Sequence, residues 1–211
     1  MNERDLQAEV VRLLPSRKGH FRLESGHHGE LWLDLELLCL RPEPVRRLAA
    51  CLAARLAAHR VEVVCGPLIE GAFVALMVAA ELGVPFTYAE RLADEGLAKA
   101  ESAALYPVQY RLPHALRDAV RGKRVGIVND VINAGSAIRG TYADLKACGA
   151  KPVAIAALAV LGQSAAKFAA DQKIDLEALA FLHNRIWTPA ECPLCARGVL
   201  LEDPLGRLHP S

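Results

Sequence analysis

Apolar residues along this chain fall into two alternating patterns, short continuous runs and stretches that repeat every three to four positions. Leu6, Val10, Leu13 and Leu14 share one face over residues 2–14, which predicts a short amphipathic helix. Phe21-Arg22-Leu23 and Leu31 to Leu35 read as a strand pair around the polar turn SGHHGE. Pro42 opens a helix to about His59 with Val45, Leu48, Ala49, Leu52 and Leu56 as its stripe; proline suits a first turn, where its missing N–H costs nothing. A strand at Val61 to Cys65 precedes an apolar helix over 71–82, stopped at Gly83, and Pro85 to Ala89 is the next strand. Residues 92–105 mix charge with Ala and Gly without a period and read as a mobile loop, followed by a returning strand from Tyr106 to Arg111. The remaining elements are a strand over 124–129, a helix from 136 to Cys148 capped by Gly149, a strand from Pro152 to Val160, a helix over 164–171 and a strand over 178–182.

Short β-branched runs alternating with amphipathic helices predict an α/β fold, a mostly parallel twisted sheet flanked by helices on both faces. The expected layout is a single domain: a small N-terminal hood of helix and strand pair over 1–40, a core over 41–186 and an irregular C-terminal tail over 187–211. Composition narrows the partners. With 53% hydrophobic and 23% charged residues the chain is globular, and a net charge of +1 offers no basic excess for nucleic acid. No apolar run reaches the roughly eighteen residues needed to cross a bilayer, and the charged N-terminus is unlike a secretory signal, so a cytoplasmic protein is expected. Of the six cysteines, four lie in apolar or helical stretches, which suits reduced, buried thiols.

Ligands of open α/β sheets bind beyond the carboxyl ends of the strands, and turn chemistry collects there three times. After strand 61–65 comes Gly66-Pro67-Leu68-Ile69-Glu70-Gly71, a glycine-bounded loop into a helix. After strand 85–89 comes Glu90-Arg91, whose guanidinium suits phosphate oxygens. The richest segment is RVGIVNDVINAGSAIR, residues 124–139. Its strand delivers Asn129 and Asp130, then Asn133-Ala134-Gly135-Ser136-Ala137 make a small-residue cradle at a helix start, where unpaired N–H groups and the helix dipole favour an anion.

This segment resembles the phosphoribosyl-diphosphate (PRPP) motif of type I phosphoribosyltransferases, most closely the orotate version, Asp-Asp-Val-Ile-Thr-Ala-Gly-Thr-Ala-Ile-Arg. Asn129 stands at its first carboxylate. Phe21, Leu23, Ser25, Gly26 and Asp34 also match the N-terminal pattern of the orotate enzymes, with Glu24 where a lysine is common. The resemblance implies transfer of the phosphoribosyl group of PRPP to a base such as orotate, with Mg²⁺ bound chiefly through PRPP and a homodimer as the assembly. It assigns Asp130 and Asn129 to the ribose hydroxyls, 133–137 to the 5′-phosphate, and Gly66, Glu70, Gly71 and Arg91 to pyrophosphate. Arg139, Phe21, Ser25 and Gly26 fall to orotate, and Lys99 to the leaving group after loop closure. Leu92 and Ala93 follow Arg91 where the family usually carries lysines. A catalytically weakened PRPP-binding regulatory protein and a transferase for another base stay open as alternatives. Cys192-Pro193-Leu194-Cys195 has the spacing of half a zinc site, with His183 and His209 as conceivable completing ligands; His27 and His28 read as polar groups of the turn.

Overall fold

The computed structural model describes residues 3–92 and 108–204. Helix α1 (Glu3–Leu13) leads into a small sheet of β1 (Ser16–Arg22), β2 (His28–Leu33) and, from the far end of the chain, β9 (Ile186–Trp187). The expected strand pair is therefore three-stranded, and β1 begins five residues earlier than its apolar run, because the exposed Ser16, Arg17 and Lys18 carry no pattern a core would impose. A 3₁₀ turn over Leu35–Leu40 joins this sheet to α2 (Pro42–Leu56).

The main sheet runs β5-β4-β3-β6-β7-β8, from β3 (Val63–Pro67), β4 (Phe86–Arg91), β5 (Tyr110–Arg111), β6 (Arg124–Ile132), β7 (Lys151–Leu161) and β8 (Asp175–Leu182). All neighbours are parallel except β5, which returns antiparallel on β4. Between its strands run α3 (Glu70–Leu82), a short α4 (Arg117–Val120), α5 (Ser136–Ala147) and α6 (Ser164–Gln172), and α1 and α2 also pack on it. Strand residues alternate between two cores as a period of two requires. Val64, Val128 and Ala156 pack with α1, α2 and α3, whereas Cys65, Ile127 and Ile155 pack with α5 and α6. β7 is buried almost end to end, as a central parallel strand covered on both faces must be.

From β3 the chain crosses through α3 to β4 on one side, and from β6 through α5 to β7 on the other. The winding thus reverses between β3 and β6, and a crevice opens beyond their carboxyl ends. The tail is more ordered than its Pro- and Gly-rich composition suggests. After β9 come a 3₁₀ turn over Pro189–Glu191 and the short helix α7 (Pro193–Ala196), and Glu202 bridges to Phe21 of β1. No helix among the described residues is long and apolar enough to cross a membrane.

Candidate active site

A cavity of about 710 Å³ fills the crevice between β3 and β6 and reaches under the small sheet. Its floor is residues 129–138, from the end of β6 into the first turn of α5. Gly135 takes φ 88°, the left-handed conformation glycine adopts without penalty, and turns the chain into the helix. The first intrahelical bond runs from Arg139 N–H to the Gly135 carbonyl at 3.0 Å, so the N–H groups before it have no acceptor within the helix. Neighbours pin the cradle from behind: Asn184 donates to Asn133 Oδ1 at 3.0 Å, and Ser164 Oγ donates to the Ala134 carbonyl at 2.8 Å. Asn133 through Ala137 all line the cavity.

Asp130 is buried at the cavity floor, and its carboxyl is pushed up to about 7, first by burial and then by the negative charge of Glu70, with the Val131 N–H pulling the other way. Glu24, Glu36, Glu70 and Glu90 line the same cavity, so five carboxyl groups share it. Asn129, the residue before, is also buried, but its side chain is committed to protein. Nδ2 donates to the Val131 carbonyl at 2.9 Å, and Oδ1 stands 1.9 Å from where a Cβ on Gly71 would lie. Gly71 is therefore a packing requirement at the head of α3. Gly66 is another: a Cβ there would meet Ala75 Cβ at 2.5 Å. It does not line the cavity, and the loop presents Pro67, Leu68, Ile69, Glu70 and Gly71 instead.

Arg91 reaches the cavity from the end of β4, where its Nε pairs with Glu24 Oε1 at 3.3 Å. The same oxygen accepts a 3.0 Å bond from the Tyr110 hydroxyl. Glu24, at the position where a lysine is common, thus fastens the turn of the small sheet to β4 and β5. Burial, reinforced by Glu24, raises the Tyr110 phenol well above its ordinary range. The roof is apolar on one side, with Leu23, Leu31, Trp32, Leu33 and Leu35, and adds Ser25.

Several residues expected at the base fall elsewhere. Phe21 is buried within the small sheet, its ring 6.0 Å from that of Trp32, and does not line the cavity. Gly26 holds the turn at φ 81° and does not line the cavity, whereas Ser25 does line it, its Oγ 3.0 Å from His27 Nδ1. Arg139 does not line the cavity either; its guanidinium lies over the Phe168 ring, 4.5 Å from the centroid, because α5 and α6 pack on the same sheet face. Lys99 lies outside the described residues. Trp32 keeps the aromatic of the N-terminal pattern and does line the cavity; Leu31, Leu33 and Leu35 join it without a sign in the sequence, because nothing local says which side of the small sheet meets a ligand.

Residues 43–186 match the phosphoribosyl transferase domain family. The chain belongs to that family. It is 31% identical to the orotate phosphoribosyltransferase of Carboxydothermus hydrogenoformans over 192 residues, covering 90% of this chain and 91% of the relative. Among solved structures the fold is similar to adenine phosphoribosyl transferase from Trypanosoma brucei, with a TM-score of 0.64, 18% identity and coverage of 83% and 79%. The orotate phosphoribosyltransferase of Aeropyrum pernix superimposes with a TM-score of 0.59 at 20% identity, covering 83% of this chain and 93% of that one. As a phosphoribosyltransferase, the chain has its cradle, Asp130 and Arg91 on loops at one sheet edge, an arrangement suited to a ligand with a phosphate at one end and an anionic leaving group at the other.

Proposed function

We propose that this phosphoribosyltransferase acts on orotate, joining it to the ribose of PRPP to form orotidine 5′-monophosphate and pyrophosphate. The single observation that carries the reading is the cavity floor itself, where a helix-start cradle and the Asp130 carboxyl lie side by side. The cradle N–H groups of 133–137 hold the 5′-phosphate, and Asp130 in its ionised form accepts hydrogen bonds from the ribose hydroxyls. An anion there stabilises the positive charge that grows on the anomeric carbon as the base nitrogen attacks and pyrophosphate departs. Arg91 meets the pyrophosphate by exchanging Glu24 for it, and the planar base lies against Trp32 and the neighbouring leucines. Most of the acceleration in such a site comes from holding the two reactants aligned.

Asp130, Glu70 and Glu36 are hard oxygen donors lining one cavity, a donor set that suits Mg²⁺ arriving on PRPP. Bound through PRPP, Mg²⁺ would offset the charge of the departing pyrophosphate. The relatives named for orotate favour that base over its alternatives. A homodimer is the assembly we propose, because Ile69 just before α3 and Phe73 and Leu76 within it are exposed.

Purified protein supplied with PRPP, Mg²⁺ and, in turn, orotate, uracil, hypoxanthine and adenine tests this directly. Orotate consumption with stoichiometric pyrophosphate is expected. Turnover of another base in preference to orotate would move the substrate, and no turnover with any base over hours would leave only a binding protein.

A further inference from the structure

Outside the cavity, one cluster joins four side chains from distant parts of the chain. His20 stands in β1, His28 opens β2, and Cys192 and Cys195 flank the first turn of α7. One candidate ligand atom from each lies within 4.8 Å of all the others. We propose that these four residues form a closed structural zinc site that fastens the C-terminal segment to the small sheet.

Four of the six separations are close to those of a tetrahedron, and the other two lie within 4.8 Å. His20 Nε2 lies 3.1 Å from His28 Nδ1, 3.4 Å from Cys192 Sγ and 3.7 Å from Cys195 Sγ, and Cys195 Sγ lies 3.2 Å from His28 Nδ1. Zinc bonds of about 2.3 Å to sulfur and 2.0–2.1 Å to nitrogen place tetrahedral ligands roughly 3.3–3.8 Å apart. Two thiols and two imidazoles are also the donors zinc selects over the hard cations suited to the cavity. The His20 ring is held for this role: its Nδ1 lies 2.8 Å from the Val199 carbonyl, which only a protonated Nδ1 can bond, leaving Nε2 with a lone pair for a metal. His20, His28 and Cys192 are all buried, and Cys195 completes the fourth corner from the surface.

The structure assigns the partners differently from the sequence. His183 is not in the cluster, and His209 lies outside the described residues. His28, expected as a turn polar group, is a strand residue facing the thiols, whereas His27 stays in the turn. The cross-link falls where apolar burial is scarce. Of residues 193–204 only Leu194 is buried, and the segment otherwise holds to β1 through backbone bonds of Arg22 and His20 with Glu202, the His20 ring on the Val199 carbonyl and an exposed Arg17–Glu202 pair. A metal supplies there what a core would supply in a longer segment. The same sheet carries Leu31, Trp32 and Leu33 over the cavity, so the site supports the roof without touching a substrate.

Metal analysis of the full chain, purified without chelator and kept reduced, should find one zinc per chain. Replacing it by Co²⁺ should give the visible absorption of tetrahedral cobalt and a thiolate-to-cobalt charge-transfer band. Cys192→Ser and Cys195→Ser should each lose the metal to near zero and melt earlier, while Cys51→Ser keeps it. Three results would each overturn the proposal: reduced wild-type protein that retains no metal after gel filtration with equimolar Zn²⁺, a Cys192–Cys195 disulfide in freshly isolated protein, or full zinc content in the double Cys192→Ser/Cys195→Ser variant. The cobalt spectrum needs only the wild-type chain, so an unstable variant does not blunt the test, and none of these readouts depends on transferase activity.

Discussion

Asp130 is 4% exposed at the end of β6, with Glu70 adding negative charge to the same cavity. Its carboxyl titrates near 7 in the folded chain against an ordinary value of 3.8. A raised folded value means that folding favours the protonated form. The stability it confers is complete below about pH 4 and is lost as pH rises through 7. The ligand-free protein should therefore lose stability between about pH 4 and pH 7, by on the order of 4 kcal/mol at most, and change little on this account above that. Asp130→Asn should remove that slope and be the more stable protein at pH 8, even though it is a poor enzyme. Thermal melts of both proteins across pH check this, and parallel curves would refute it. Because PRPP needs the ionised form, kcat/KM for PRPP should climb with pH, with a midpoint near 7.

Elements meet most tightly where the end of β6 faces the head of α3. Asn129 donates to the Val131 carbonyl within β6 and fills the space that Gly71 leaves on α3. An aspartate at 129, the family's usual residue, would lose that donor and set a carboxylate against the carbonyl. The cost of such a buried mismatch is about 1–3 kcal/mol. Asn129→Asp should accordingly melt roughly 2–12 °C lower with no gain in kcat. A tenfold gain in kcat at unchanged melting temperature would show that the side chain serves the ribose instead. The elements themselves were legible, because strand and helix periods are local and Pro42, Gly83 and Gly149 punctuate them. Other features at this scale were not. Ser16–Lys18 form a strand by pairing with Leu31–Leu33, and Arg139 settles on Phe168 because two helices share a sheet face. Neither contact leaves a trace in the spacing of nearby residues.

Over the whole molecule, Ile69, Phe73 and Leu76 lie along one side of α3 at 59%, 44% and 51% exposure, beside Leu37 and Leu40 of the 3₁₀ turn at 50% and 74%. Apolar side chains grouped this way mark a surface that another protein covers. Light scattering should find the wild-type chain as a homodimer and Phe73→Glu as a folded monomer. A monomeric wild type at tens of micromolar would end the dimer reading.

The amino-acid sequence by itself determined the order of strands and helices, the place of the cradle after β6 and the Asp130 carboxyl beside it. Each depends on residues adjacent in the chain, where hydrophobic period and turn chemistry act directly. Tertiary structure decided which distant groups became partners: Glu24 with Arg91 and Tyr110, and His20 and His28 with Cys192 and Cys195. Those pairings depend on sheet order and on the path by which the tail returns to β1, and both follow from burying the whole core at once.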